Sequence, residues 1–305
     1  MPGEGADMRS TSKKIEHILC PTDLSEKSQL TLSFASGIAS RLSARITALH
    51  CSPTAWFSHD QDIWSKRKNE IRQQMIDTIK GNRNGSAPAF DTSVFDGSFD
   101  PAHDILQLAD DLDADLIVLK ARKGMFSALH YGSIVERITR GAHVPVLLLP
   151  TRFLEEHSAE KDIDFKEVLF DYDFSETTDR LFPTAMALTE GFRAKLHLLA
   201  VLEPPKAGDV TASQSEISRD MLTNATRHKL DVLAGSAVGS SIHSPATVAW
   251  GNHARSVLSY AENNNIDLIC TTLSPAYFYY EKLYCAYLGQ LLQSAKCPIL
   301  ALRSV

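Results

Sequence analysis

Hydrophobic and polar positions along this chain alternate between two periods. Residues 15–20 end in an apolar run that meets Pro21-Thr22-Asp23-Leu24-Ser25-Glu26, after which Leu30, Phe34, Ile38 and Leu42 recur every fourth residue. An apolar run, a turn and then a four-residue period predict a strand, a turn and a helix. Residues 45–51 predict a second buried strand, 60–80 a helix after a loop, and 92–95 a third strand. Asp100-Pro101 predicts a helix start, with Asp as N-cap, Pro at the first helical position and Ile105, Leu108, Ala109 and Leu112 as the buried stripe. A strand over 116–119, a helix over 133–139 and a strand over 146–149 complete this stretch. The order then returns: a strand at 168–170, a helix from Ser175 that Pro183 should kink, a strand at 195–201 and a helix near 216–233. It continues with a strand at 247–250, a helix from about His253, and strands at 268–271 and 298–302. Most of the strands are unbroken apolar runs, which predicts parallel sheets covered on both faces, an α/β sandwich in each half.

The return is literal in places. Ile18-Leu-Cys-Pro-Thr-Asp-Leu-Ser-Glu26 reappears as Val168-Leu-Phe-Asp-Tyr-Asp-Phe-Ser-Glu176, with Asp23 and Asp173 separated by 173 − 23 = 150 positions. A chain of 305 residues carries about two domains at roughly 150 residues each, in agreement with that spacing. The expected division is a tail over 1–13, a first domain over 14–150, an acidic linker with little periodicity over 151–164, and a second domain over 165–305. Composition adds few constraints: 44% hydrophobic and 22% charged residues describe an ordinary globular protein. A net charge of −6 without a Lys/Arg run argues against a nucleic-acid partner. The five cysteines have no zinc-type spacing and read as reduced thiols, although Cys20 and Cys51, ending neighbouring strands, could approach each other in a redox role. No apolar run approaches 18 residues, so no membrane partner is expected, and without an apolar core in residues 1–13 the expected location is cytoplasmic. The sequons at Asn84 and Asn224 then read as accidental.

Two constellations carry candidate chemistry. Asp23 lies at the carboxyl edge of the first strand, where open α/β sheets bind ligands, and can accept hydrogen bonds from a base or ribose. Asp23-x-x-Glu26 equally fits a helix capping box with Asp as N-cap, as Asp173-x-x-Glu176 does in the second half. The second constellation is the stretch 120–133, in which Lys120, Arg122, Lys123 and Gly124 precede Gly132-Ser133-Ile134. Such a loop entering a helix offers backbone N–H groups and the positive dipole end to a phosphate, with three cations beside it. Its structural alternative is a tight turn at Gly132 and a capping box at Ser133-x-x-Glu136. No Walker loop, GxGxxG fingerprint, nucleophile elbow or His ligand spacing is present, and no residue stands out as catalytic.

These residues resemble the universal stress protein family. The resemblance rests on 18–26, 97–112, Asp115-Leu-Ile-Val118, Gly132-Ser-Ile-Val-Glu-Arg137 and Val144-Pro-Val-Leu147, in fixed order, and extends over both halves. It implies two tandem Rossmann-like, adenine nucleotide alpha hydrolase-like domains, each a five-stranded parallel sheet flanked by helices, that pair within the chain through their last strands. A further homodimer and a protein partner of unknown kind also fall within what it implies. One subgroup of the family binds ATP, with Mg²⁺, through a Gly-x2-Gly-x9-Gly-Ser/Thr loop. Here Lys120 and Lys123 occupy the two early glycine positions and Gly132-Ser133 keeps the last pair. Carried over residue by residue, a nucleotide site in the first half comprises Pro21, Asp23, Cys51, Leu119, Lys120, Arg122, Lys123, Gly124, Gly132, Ser133 and Ile134. In the second half the counterparts are Asp173, Val201, Gly289 and Gln290. There Asp171 replaces the proline, and the loop 274–287 carries five tyrosines and a phenylalanine in place of phosphate-binding glycines. That segment is either a plug in an empty cleft or an apolar partner surface. The leading functional expectation is a non-catalytic stress-response sensor or scaffold that binds an adenine nucleotide in its first half. A slow ATPase or nucleotidyl-transfer enzyme using the 120–133 loop, and a structural interaction module with filled clefts, stay open beside it; no resident metal site is expected.

Overall fold

Runs of Ile, Leu and Val buried from both sides form the spine of the molecule. The computed structural model describes residues 13–52, 61–81, 87–96, 100–121, 133–157, 163–203, 212–237, 246–273 and 281–303. In the first half β1 (His17–Pro21), β2 (Arg45–Ser52), β3 (Phe90–Asp96), β4 (Leu116–Ala121) and β5 (Val146–Pro150) alternate with α1 (Glu26–Leu42), α2 (Gln61–Gly81), α3 (Pro101–Asp111) and α4 (Ile134–Gly141). A short α5 (Thr151–Glu156) follows β5. The second half repeats the order with β6 (Glu167–Asp171), α6 (Glu176–Phe192), β7 (Lys195–Leu202), α7 (Ala212–Ala237) and β8 (Ala246–Trp250). It closes with α8 (His253–Asn263), β9 (Leu268–Leu273), α9 (Glu281–Ser294) and β10 (Ile299–Arg303).

Within each half every strand pair is parallel, and the two halves join edge to edge. The resulting ten-stranded sheet has the order β3-β2-β1-β4-β5-β10-β9-β6-β7-β8. Its one antiparallel seam pairs Leu148 with Ile299, Leu147 with Leu300 and Val146 with Ala301. These six side chains are almost wholly excluded from solvent. An unpaired apolar edge of this kind would associate with other chains, so covering β5 with β10 removes a hazard as well as burying surface. Any further homodimer would have to use another surface.

Strand residues distribute alternately to two cores. Ile18 and Cys20 enter the one that also holds Phe165 and Phe170, while Leu19 enters the one that holds Ile117 and Ile269, on the other face. Both cores run across the seam. The helices α1 and α6 meet there as well: Arg41 donates to the Gly191 carbonyl at 3.1 Å, and a Cβ at Gly191 would fall 2.2 Å from Leu42 Cδ2. The absence of a side chain at Gly191 permits this approach.

The duplication extends to backbone dihedrals. Leu24 and Phe174 both have φ 61°, and Ser43 and Arg193 both have φ 56° as left-handed C-caps. The left-handed residue after each strand-end Asp turns the chain so that the next serine, not the Asp, becomes the N-cap. Ser25 accepts from Ser28 N, and Ser175 accepts from Thr178 N in a full capping box. The capping boxes expected at Asp23-x-x-Glu26 and Asp173-x-x-Glu176 are therefore corrected by two positions, and both acids serve the turn instead. Ser175→Ala is expected to lower stability by about 1 kcal/mol, read as a shift of the urea midpoint.

One further expectation changes. The stretch 151–164 begins with α5, whose Phe153 and Leu154 are buried in the core beside Phe34. A six-residue helix is too short to display a period. Pro183 lies inside α6.

Candidate functional site

Strand order locates the crevices. In the first half β1 has β2 on one side and β4 on the other, so the chain leaves the sheet in opposite directions at the carboxyl ends of β1 and β4. The same switch occurs between β6 and β9.

At the first crevice Asp23 and Lys120 meet. Asp23 Oδ1 accepts from Ser25 N at 3.1 Å, Ser25 Oγ at 2.6 Å and Ser28 Oγ at 2.6 Å. Asp23 Oδ2 accepts from Lys120 Nζ at 2.5 Å, and the same ammonium donates to Ser25 Oγ at 2.8 Å. Burial alone would raise the Asp23 carboxyl, but the bonds from Lys120, Ser25 and Ser28 outweigh it and hold the group far below the usual carboxylate range. The Asp23 side chain nevertheless stays 54% exposed, whereas that of Lys120 is only 15% exposed, so it is the acid that faces solvent. Ser133 caps α4 by accepting from Glu136 N, as its spacing implied, and Ile134 is 44% exposed in the first turn. Arg137 of α4 ion-pairs with Asp100, the N-cap of α3, which ties the two helices together beside the crevice.

The remaining first-half candidates separate. Pro21 ends β1 opposite Leu49, and Leu119 is buried in the core. Cys51 is half-buried on the face opposite Cys20, so the two thiols do not approach each other and the redox expectation is corrected. Strand alternation decides this: Cys20 pairs with Ala48, and Cys51 is an odd number of residues further along β2. Burial pushes the Cys20 thiol up to about 12; burial, reinforced by Asp104, pushes Cys51 up to about 11. Neither supplies a thiolate nucleophile near neutrality. Arg122, Lys123, Gly124 and Gly132 lie outside the described residues.

The second crevice is filled. Asp171, at the end of β6, is 2% exposed, and its Oδ2 accepts from His253 Nε2 at 2.7 Å, Thr271 Oγ1 at 2.8 Å and Tyr287 OH at 2.9 Å. His253 opens α8, Thr271 lies on β9 and Tyr287 on α9. The Tyr287 ring also packs edge-on to His253 at 5.1 Å. Burial works to raise Asp171, yet the His253 charge and the three hydrogen bonds hold it below the usual carboxylate range. Burial works to lower His253, and Asp171, with Asp173 and Glu203 behind it, holds it above the usual imidazole range.

Asp173 repeats the role of Asp23. It accepts from Ser175 and Thr178 through Oδ1 and from Thr272 Oγ1 at 2.9 Å through Oδ2, so Thr272 stands where Lys120 does. Val201 is buried in β7 beside Ala249. Gly289 and Gln290 sit inside α9, not at a helix start. Measured from the last strands, with 299 − 146 = 153, the residue equivalent to Ile134 is Tyr287, since 134 + 153 = 287. The aromatic stretch thus continues into a helix that places a tyrosine in the cleft; residues 274–280 lie outside the described residues.

A separate cavity of about 1030 Å³ opens at the other edge of the second half, beside α5, lined among others by Phe153, His157, Lys166, Arg255 and Lys296. Its lining also includes Asn252, the N-cap of α8, and Gln290 of α9, the two helices that supply His253 and Tyr287 to the second crevice. Among the described residues no group of His, Cys, Asp and Glu could hold a metal ion, and no helix is long and apolar enough to cross a membrane.

A repeated open sheet with crevices at its switch points, joined through the last strands, defines a duplicated Rossmann-like α/β protein. The universal stress protein family model matches residues 14–150 and again 164–303, and the chain belongs to that family as a tandem-domain member. A universal stress protein of Methanocaldococcus jannaschii is 26% identical over 148 residues, covering 47% of this chain and 86% of that protein. A solved universal stress protein from Archaeoglobus fulgidus is 18% identical and superposes with a TM-score of 0.61, covering 95% of this chain and 97% of the other. A functionally unknown protein from Pseudomonas aeruginosa is 12% identical with a TM-score of 0.60 over 98% and 95% of the two chains. At these identities the two structures show a shared fold.

Proposed function

We propose that the protein is a non-catalytic stress-response sensor or scaffold that binds one adenine nucleotide, in its first half. The observation that carries this reading is the contrast between the crevices: one presents a half-exposed acid with a mostly covered ammonium beside it, the other is closed by its own side chains. Lys120 has three N–H donors and spends two, while Asp23 Oδ2 receives one bond and retains accepting capacity. Adjacent donor and acceptor suit the hydroxyls of a ribose, and the ammonium suits a phosphate oxygen. The helix start at Ser133 adds a favourable dipole end, with Mg²⁺ arriving as part of the ligand when that ligand is ATP. Binding is favoured over turnover because Asp23, held far below the usual range, is a poor general base, and the thiols are protonated.

Isothermal titration calorimetry with ATP and Mg²⁺ tests this directly. One nucleotide per chain is expected, and Lys120→Ala should weaken binding about tenfold or more, the worth of a hydrogen bond to a charged group. Two nucleotides per chain, or no binding at all, would overturn the proposal.

A further inference from the structure

The four residues that close the second crevice occupy positions that are apolar in the first half. Asp171 stands at the place of Pro21 (171 − 21 = 150) and His253 at that of Pro101 (253 − 101 = 152). Thr271 stands at that of Leu119 (271 − 119 = 152) and Tyr287 at that of Ile134 (287 − 134 = 153). Four separate elements differ in chemistry from their first-half counterparts, and together they make one mutually bonded set in which Thr271 Oγ1 and Tyr287 OH also lie 3.0 Å apart. A buried hydroxyl left unpaired would cost about 1–3 kcal/mol, which this mutual bonding avoids.

All three donors converge on Asp171 Oδ2, while Oδ1 is buried with no hydrogen-bond partner. The carboxylate is thus under-solvated on one side and depends on the positive charge beside it. Among the described residues the groups facing His253 are Asp171 on β6, Asp173 in the turn after it, Glu203 after β7 and Tyr287 on α9. On its own helix His253 sits in the first turn, where the dipole opposes a cation. The acids therefore outweigh the helix in keeping the proton.

We propose that Asp171, His253, Thr271 and Tyr287 form an ionisation-controlled latch, which holds α9 against the second crevice while His253 carries its proton and releases it when the proton passes to solvent. Because His253 is raised on folding, its contribution is complete below the unfolded imidazole value of about 6.5 and is lost as pH rises through the higher folded value. Because Asp171 is lowered, its contribution is present above the unfolded carboxyl value of about 3.9 and is lost as pH falls through the lower folded value. The latch is closed between these limits, and its alkaline limit lies above about 6.5. The argument does not depend on nucleotide binding in the first half.

Hydrogen exchange of the full-length chain between pH 6 and 10, corrected for intrinsic exchange rates, reads the state of α9. Protection of the amides over 281–294 is expected to fall at least tenfold as the His253 ring resonance titrates. His253→Gln keeps a donor without a proton to lose, and its protection should not change with pH over this range. Tyr287→Phe removes the bond from α9 and should lower protection already at pH 6. An unchanged pH profile in His253→Gln would overturn the latch. Should that variant fail to fold, the wild type decides: a His253 titration that leaves α9 protection constant overturns the proposal equally.

Discussion

Asp171→Ala is expected to cost about 3–5 kcal/mol of stability at neutral pH, the range seen when one partner of a buried ion pair is removed. The substitution takes away the shared acceptor of His253, Thr271 and Tyr287 and leaves their donors unsatisfied in a buried site, where His253, lowered by burial without its acid, gives up its proton. Because the wild-type pair is itself weakened once His253 loses its proton, the variant should be less impaired at alkaline than at neutral pH. Replacing the whole cluster by the first-half residues, Asp171→Pro, His253→Pro, Thr271→Leu and Tyr287→Ile together, should recover most of the loss, because apolar substitutes for buried ion pairs are often neutral or stabilising. Urea denaturation of the single and quadruple variants measures both effects. A single variant with an unchanged midpoint would mean that the cluster carries no stability.

Leu148→Asp should have a still larger effect, above about 5 kcal/mol, from the lost burial of a leucine and the desolvation of a carboxylate. Leu148 pairs with Ile299 at the seam and neither side chain is exposed. A loss of this size is comparable with the whole stability of a typical domain, so the halves are expected to separate and expose β5 and β10. The expected outcome is a split or strongly shifted urea transition together with self-association in light scattering. A single transition at the wild-type midpoint would show that the seam is not where the halves are held.

Much of this architecture is readable from the chain. Runs such as Ile18-Leu-Cys20 and Val146-Leu-Leu-Leu149 are apolar on both faces of a strand, and that pattern has few solutions other than a central parallel strand. Asp100-Pro101 marks the start of α3 because capping and proline geometry are local effects, and Asp100 does cap it. Residues whose roles depend on distant partners were harder to read. Asp23 resembles an N-cap until the left-handed turn at Leu24 moves the cap to Ser25. Lys120 is a cation in a loop motif until β4 brings it beside Asp23, 97 residues away along the chain. His253 carries no motif at all; Asp171 in place of a repeated proline was the available signal, and it did not name its partners. The whole of α9 is missing from the sequence reading, because the aromatic residues running into it obscure the helical period.

Periodicity and repetition in the residues are enough to establish the duplication, the α/β class, the order of the strands along the chain and the difference between the two crevices. These follow from local propensity and hydrophobic pattern, which act over a few residues at a time. Which groups meet at each crevice depends on strand order and register, set by cooperative packing across the sheet. One copy of the fold thereby sets a half-exposed acid beside an ammonium, while the other buries an acid under a histidine and a tyrosine. A burial energy shared by four elements is a property of their arrangement, and no one of those segments contains it.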